Sequence, residues 1–167
     1  LSREGGRVEG CVVDVRDGDA VKAAFDQCAE SFGELDVVVS GAAGNFPAYA
    51  KDLSSNGFRA VMEIDLLGTH HVMIAAYPHL KKPGGAVIHI TAPQSWLPLV
   101  GQAHVCAAKA GVDQHMRTTA LEWGPVGIRV NSVCPGPIAN SGGLDRLYKS
   151  DEELEEKIAT IPLGRLG

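Results

Sequence analysis

The chain has 167 residues, of which 45% are hydrophobic and 21% are charged, and its formal net charge is -5. This length and composition predict one globular domain, residues 1–167, that buries a core without disulfide or metal staples. The acidic balance excludes the charge pattern of a nucleic-acid-binding protein, and no apolar run is long enough to cross a membrane.

Cysteine and histidine spacing gives no signal for a metal site. The four cysteines form no CxxC pair, and the six histidines include no HExxH motif. We therefore expect reduced cysteines in the core and no bound metal. The first residues lack a signal-peptide pattern, which predicts a cytoplasmic protein.

The first predicted elements are a strand and a helix. Residues 8–15 form a short run rich in β-branched residues, and residues 17–19 follow as a turn and helix cap. From Ala20 to Ser31 the apolar residues recur on one helical face, which predicts an amphipathic helix.

A second strand and a long helix come next. Residues 35–40 are a nearly continuous apolar run, typical of a strand buried on both faces of a parallel sheet. The run ends in the small residues 41–44, which indicate a close approach of the backbone to another group. Ser54 or Ser55 is expected to cap a helix that continues to about Leu80.

The remaining pattern predicts two more strands and two more helices. The strands span residues 86–91 and 128–133, and a long helix between them spans about residues 102–123. An acidic helix is predicted over residues 151–160, after a flexible stretch at residues 140–143. The last helix is either a solvated face or a mobile lid, and the sequence leaves both open.

The alternation of strands and helices predicts an α/β fold with a doubly wound, Rossmann-like parallel sheet. Parallel strands need crossover connections, and we expect their helices to cover both faces of the sheet. Ligands of such sheets bind at the carboxyl ends of the strands. The chain starts without methionine and stops without a finishing element, so we expect it to be part of a longer protein.

Six short motifs occur in one order along the chain. They are Asp14-Val15, Ser40 to Gly44, Asp65, Ile90-Thr91-Ala92, Lys109 and Asn131 to Gly136. This order and spacing resemble the short-chain dehydrogenase/reductase family. The resemblance implies that the first βαβ unit, with its Gly-rich phosphate-binding turn, and the C-terminal strand lie outside the chain.

The resemblance implies a nicotinamide cofactor, with NADP(H) favoured over NAD(H). Asp14 and Val15 match the family's adenine-contacting pair, although Asp14 is also compatible with a turn or helix-cap carboxylate. Lys109 matches the residue that holds the nicotinamide ribose.

Two loop motifs complete the implied cofactor site. A turn of four small residues stands where the family has Asn-Asn-Ala-Gly beneath the cofactor: Gly41, Ala42, Ala43 and Gly44. Pro135 and Gly136 match the turn beside the nicotinamide carboxamide, although Pro-Gly is also an ordinary loop signal.

The departures from the family pattern concern the proton donor. The family places a Tyr four residues before the Lys and a Ser about thirteen residues before that Tyr, and here those positions hold Val105 and Ala92. Neither side chain donates a proton or a hydrogen bond. Asp65 stands at the position of the family's Asn. The chain is therefore not expected to be a simple alcohol dehydrogenase.

A narrower resemblance explains the missing Tyr. The segments that carry it are Met62 to Asp65, Gly68-Thr69, Ile90 to Ala92, Gln102 to His104, Ala108 to Asp113, Glu122 to Pro125 and Pro135 to Ile138. They resemble the peroxisomal type of 2,4-dienoyl-CoA reductases and their bacterial relatives, enzymes of fatty acid metabolism that also lack the Tyr and Ser. The resemblance implies hydride transfer to an unsaturated acyl-CoA at a site built on Asp65 and Lys109, and a peroxisomal location for a eukaryotic source.

Substrate contacts and assembly are also implied. Asn45 and Phe46 could face the acyl chain, although a Phe here could equally be core, and His104 could serve as a replacement acid. The resemblance implies a homo-oligomer, a dimer or tetramer, packed through small residues on the two long helices. Those residues are Gly68, Ala75, Ala76, Ala107 and Ala108.

Three alternatives remain open from the residues. Asp65 and Lys109 could form a structural ion pair between neighbouring helices. The chain could be a reductase of another carbonyl or hydroxy substrate that uses His104. It could also be a non-catalytic cofactor-binding subunit, because the usual Tyr and Ser are absent.

Overall fold

The computed structural model describes residues 5–141, 148 and 150–167. Three parallel strands form one sheet in the order β1-β2-β3, namely β1 Val37–Ser40, β2 Ala86–Ile90 and β3 Arg129–Val133. The helices are α1 Gly18–Phe32, α2 Ser55–Val61, α3 Gly68–Ala76, α4 Ala103–Trp123 and α5 Asp151–Ala159. The predicted parallel α/β fold is confirmed. Of the stretch 140–143 predicted to be flexible, residues 142 and 143 lie outside the described residues.

Short polar side chains begin three of the helices. Asp17 caps α1 by accepting a hydrogen bond from the backbone N–H of Ala20 at 3.0 Å. Ser54, not Ser55, caps α2 and accepts from the N–H of Gly57 at 3.1 Å. Ser150 caps α5, which confirms the predicted acidic helix.

The long helix predicted from Ser54 to about Leu80 is not regular. A π-helical turn, Met62–Leu67, separates α2 from α3, and α3 ends at Ala76. In the π turn the N–H of Gly68 bonds to the carbonyl of Glu63, one residue further back than in an α-helix. Such turns often occur at functional sites, and this one carries Asp65.

Helices cover only one face of the sheet in the described residues. Val38, Val87 and Val130 pack against α3 and α4 in the main core. On the other face Val37 and Val39 are 57% and 59% exposed, so the prediction that β1 is buried on both faces is wrong here. The connections from β1 to β2 to β3 run in one direction, and right-handed crossovers then place their helices on one side.

The strand predicted over residues 8–15 is absent. This segment is mostly exposed, and none of the three described strands pairs with it. A strand is stabilised by a neighbour that accepts and donates its backbone hydrogen bonds. The prediction was wrong because a β-branched run does not supply that neighbour.

The cysteines are free in the described part of the chain, but they are not all core residues. Cys11 and Cys134 are exposed, while Cys28 and Cys106 are half-buried. Within residues 5–141, 148 and 150–167, no three His, Cys, Asp or Glu side chains cluster as metal ligands would. No helix within the same ranges combines the length and apolar character that a membrane crossing requires.

Candidate active site

The predicted motifs meet at the carboxyl ends of the three strands. Residues 41–44 follow β1, Thr91 follows β2, and Pro135 and Gly136 come shortly after β3. The N–H of Thr91 bonds to the carbonyl of Val133 at 2.9 Å, which keeps the ends of β2 and β3 level. This edge is where parallel α/β sheets bind ligands.

Asp65 joins the π turn to the loop after β1. The residue is 1% exposed, and its Oδ1 accepts a hydrogen bond from the N–H of Gly44 at 2.6 Å. The hydroxyl of Thr69 donates to the Asp65 carbonyl at 2.6 Å and holds the turn from the other side. A carboxylate so fixed supports the small-residue turn directly.

Lys109 completes a buried ion pair with Asp65. Its Nζ lies 3.3 Å from Asp65 Oδ2 and donates to the carbonyl of Ile90 at 3.3 Å. Lys109 is 6% exposed. Burying two charges is costly even when they are paired, so this ion pair is not expected to add much to the free energy of unfolding. A purely structural role therefore does not explain why the pair lies at the ligand-binding edge.

The positions of the missing Tyr and Ser are filled by apolar residues. Val105 is 3% exposed and packs with Val61 and Ala108 in a small second core cluster. Ala92 follows Thr91 at the start of a short 3₁₀ turn, Pro93–Ser95. Neither position can supply a phenol or a hydroxyl to the site.

His104 is bonded to the backbone of the loop after β1. It is fully buried, and its Nε2 lies 2.9 Å from the carbonyl oxygen of Phe46. A carbonyl only accepts, so Nε2 carries the hydrogen. This contact does not favour His104 as the replacement acid. Phe46 is 37% exposed and Asn45 is half-buried.

Asp14 and Val15 lie in the loop before α1. The Asp14 carboxylate accepts from the Arg16 guanidinium, with Nη2 at 2.5 Å, and from the Arg16 N–H at 3.0 Å. These hydrogen bonds lower the pKa of Asp14 to about 2. The turn-carboxylate interpretation therefore has a geometric basis, while contact with an adenine stays a prediction.

Two residues that the sequence did not single out as cofactor-site residues hold Val15 in place. His71 on α3 donates from Nδ1 to the Val15 carbonyl, with the two atoms 2.9 Å apart. A Cβ on Gly68 would lie 2.7 Å from Val15 Cγ2, so only glycine fits there without a shift. The narrower family motif quoted Gly68, but nothing in the sequence pointed to His71.

A cleft of about 500 Å³ lies between the ends of β2 and β3. Thr91, Pro135 and Gly136 line it, as do Tyr148 and Lys157. The last two were missed, because no motif connects them with the site. Lys157 belongs to α5, so this helix approaches the cleft, as the lid interpretation requires; closure of a lid stays a prediction.

Comparisons with known proteins show which proteins this chain is similar to. A family model described as "Enoyl-(Acyl carrier protein) reductase" matches residues 1–167. The peroxisomal 2,4-dienoyl-CoA reductase, (3E)-enoyl-CoA-producing, of Saccharomyces cerevisiae is 43% identical over 155 residues, which are 93% of this chain and 53% of that protein. A probable 2,4-dienoyl-CoA reductase, (2E)-enoyl-CoA-producing, of Bacillus subtilis is 39% identical over 165 residues, or 97% of this chain and 65% of that protein.

A solved structure agrees with the sequence matches. The short chain dehydrogenase of Bacillus anthracis superposes with a TM-score of 0.81 at 38% identity, over 93% of this chain and 61% of that one. The chain thus spans between half and two thirds of the length of these relatives. By sequence and by fold, the chain belongs to the short-chain dehydrogenase/reductase family.

Proposed function

We propose that the chain forms the catalytic part of a reductase that transfers hydride from a nicotinamide cofactor to a 2,4-dienoyl-CoA. The observation that carries the proposal is the buried Asp65–Lys109 pair at the ligand-binding edge, with Val105 at the place of the usual Tyr. The names of the two curated relatives support the substrate class. NADPH rather than NADH is the expected form.

The residues at the strand ends fit such a cofactor. Gly41, Ala42 and Ala43 are exposed and carry little or no side chain, so a flat group can approach their backbone closely. A Cβ on Gly41 would come 3.2 Å from Ile90 Cγ1, so the turn lies tightly on the sheet edge. Pro135 and Gly136 line the adjoining cleft and would hold the nicotinamide end.

When bound, the cofactor supplies the hydride for the far end of the conjugated system. The negative charge then spreads onto the thioester oxygen, and an ammonium such as that of Lys109 stabilises it. Asp65 holds the Lys109 ammonium through Oδ2 and the Gly44 N–H through Oδ1. The pair would hold a water that delivers a proton to the α-carbon, which needs no phenol.

The test is to identify the product that the native full-length protein makes in D₂O from a 2,4-dienoyl-CoA and NADPH. We expect a 3-enoyl-CoA with one deuterium at the α-carbon, detected by NMR. A 2-enoyl-CoA product would retain the reductase but contradict the proposed proton placement. No reduced product, with the cofactor bound, would contradict the reductase itself and favour a non-catalytic subunit.

Homo-oligomerisation and cellular location stay proposals. Four of the five small residues expected at a subunit contact, namely Gly68, Ala75, Ala76 and Ala108, are already buried within the chain. Leu67 at the end of the π turn and Ile74 in α3 are 43% and 58% exposed. If subunits pack through these apolar residues, the protein should be a dimer or tetramer in solution, and light scattering measures this. The relative from yeast is named as peroxisomal, and a cytoplasmic location for this chain is a prediction.

A further inference from the structure

The loop after Gly44 is fixed at both ends to parts of the candidate site. The N–H of Gly44 bonds to Asp65 Oδ1 at 2.6 Å, and the N–H of Ala48 bonds to the carbonyl of Gly101 at 2.9 Å. Gly101 lies just before α4, the helix that carries Lys109. Phe46 is in the middle of this loop, two residues from the backbone atom that Asp65 holds.

His104 holds the middle of the loop. Besides the hydrogen bond from Nε2 to the Phe46 carbonyl, the imidazole packs on the Phe46 ring, with 4.5 Å between the ring centroids and 43° between their planes. The other ring nitrogen, Nδ1, is buried and has no hydrogen-bond partner among the described residues. Among the described residues, the one hydrogen bond of this buried side chain is therefore with Phe46.

Phe46 is also limited on a second side. A Cβ on Gly57, in the first turn of α2, would lie 2.9 Å from Phe46 Cζ. The ring is thus placed between α2 and α4, yet Phe46 as a residue remains 37% exposed. A partly exposed aromatic ring that two helices hold, in a loop whose start at Gly44 is bonded to Asp65, is suited to contact an apolar ligand.

We propose that His104 is a positioning residue which fixes Phe46 as one wall of the acyl site, so that the pair determines which acyl chains are accepted. The proposal rests on the proposed reductase function. Histidine suits this role because one side chain provides a ring that packs on Phe46 and an N–H that bonds to the Phe46 carbonyl. Burial of an imidazole would be costly without that hydrogen bond.

Three variants separate the two contacts. His104→Phe keeps a ring but removes the donor, His104→Gln keeps an amide donor but removes the ring, and Phe46→Ala removes the wall. We expect His104→Phe to raise KM for long-chain 2,4-dienoyl-CoA by about five- to tenfold, the effect of one lost hydrogen bond. The effect of His104→Phe on kcat should be smaller, and the pH profile should keep its shape. His104→Gln should raise KM less than His104→Phe does, because it keeps a hydrogen-bond donor. His79→Phe, on a histidine that bonds Asp26 away from the site, is the matched control.

A double variant tests the coupling directly. If His104 acts through Phe46, His104→Phe should have little further effect in a Phe46→Ala background. A fall in kcat at every chain length with KM unchanged, or an altered pH profile, would overturn the proposal and return His104 to the role of an acid. Equal effects of His104→Phe on short and long chains would also overturn it.

Binding measurements separate this proposal from the reductase function. The dissociation constants of saturated short- and long-chain acyl-CoA are measured by calorimetry on the cofactor-loaded protein, and unfolding temperatures check that the variants fold. If the wild type does not turn over a dienoyl-CoA but His104→Phe still weakens long-chain binding selectively, only the reductase function fails. If the wild type turns over but shows no such selective loss, only the role of His104 fails.

Discussion

At the scale of single residues, Asp65 has two separate tasks. Oδ1 supports the turn at Gly44, and Oδ2 faces the ammonium of Lys109. An amide in place of the carboxylate keeps an acceptor for the Gly44 N–H but removes the charge. The two tasks can therefore be separated by one substitution.

We expect Asp65→Asn to lower kcat with a 2,4-dienoyl-CoA by at least about 100-fold, the range of a lost acid or base assembly. Cofactor affinity should change little, because the turn keeps its acceptor. Stopped-flow turnover and a fluorescence titration of the cofactor measure the two effects. Asp36→Asn is the matched control, since Asp36 forms an exposed pair with Lys81 at 3.4 Å. Full turnover by Asp65→Asn would show that the charge of Asp65 is not needed.

At the scale of elements, the approach of α3 to the loop before α1 depends on Gly68. A Cβ there would lie 2.7 Å and 2.9 Å from the Val15 side chain, whose β-branched shape leaves little freedom to move. Val15 is also bonded through its carbonyl to His71. The loop and the helix therefore cannot separate without loss of that contact.

Gly68→Ala is expected to destabilise the fold by about 1–3 kcal/mol through overpacking. It should also weaken cofactor binding, because the displaced Val15 belongs to the implied adenine contact. Denaturant unfolding and cofactor titration are the measurements. Gly124→Ala serves as the control, because a Cβ at Gly124 meets nothing within 4 Å. Equal stability of the two variants would contradict the close packing.

The sequence predicted elements better than it predicted their contacts. Apolar runs located all three strands, and cap residues located the starts of α1 and α2. The π turn at Met62–Leu67 was missed, because one extra residue hardly changes a helical pattern of apolar residues. The contact of His104 with Phe46 joins residues 58 positions apart, so only the folded chain could reveal it. Residues 8–15 show the reverse case, in which a good strand pattern has no partner.

At the scale of the whole molecule, burial of His89 connects stability with pH. The ring lies inside β2 with no exposed surface, and neither nitrogen has a hydrogen-bond partner among the described residues. Burial, and after it the charge of the nearby His115, lowers the pKa of His89 to about 4. Asp113 raises this pKa, and Lys109 lowers it further. The pKa of His115 is lowered as well, first by burial.

The folded state should therefore lose stability as the pH falls from about 6.5 to about 4. As the pH falls, His89 takes up its proton near pH 6.5 in the unfolded chain but only near pH 4 in the folded chain. Protonation therefore favours unfolding between these two pH values. The loss from His89 alone is about 3 kcal/mol and is absent above pH 7. Urea unfolding at several pH values measures it, and His89→Phe should flatten the slope.

Direct titration provides a check that does not depend on the variant. In the wild type, NMR of the His89 ring should show a neutral imidazole at pH 5.5. A ring that is protonated at that pH would contradict the buried, unpaired environment.

The proposed site reduces a conjugated thioester without a phenol, and one comparison of rates tests this property most directly. Oxidation of NADPH by the full native chain is followed with a 2,4-dienoyl-CoA, the matching 2-enoyl-CoA and a 3-ketoacyl-CoA. We expect turnover only with the dienoyl thioester. The ketone should not react, because Val105 and Ala92 cannot protonate or bind a carbonyl oxygen. Turnover of the 3-ketoacyl-CoA, or of none of the three while NADPH binds, would contradict it.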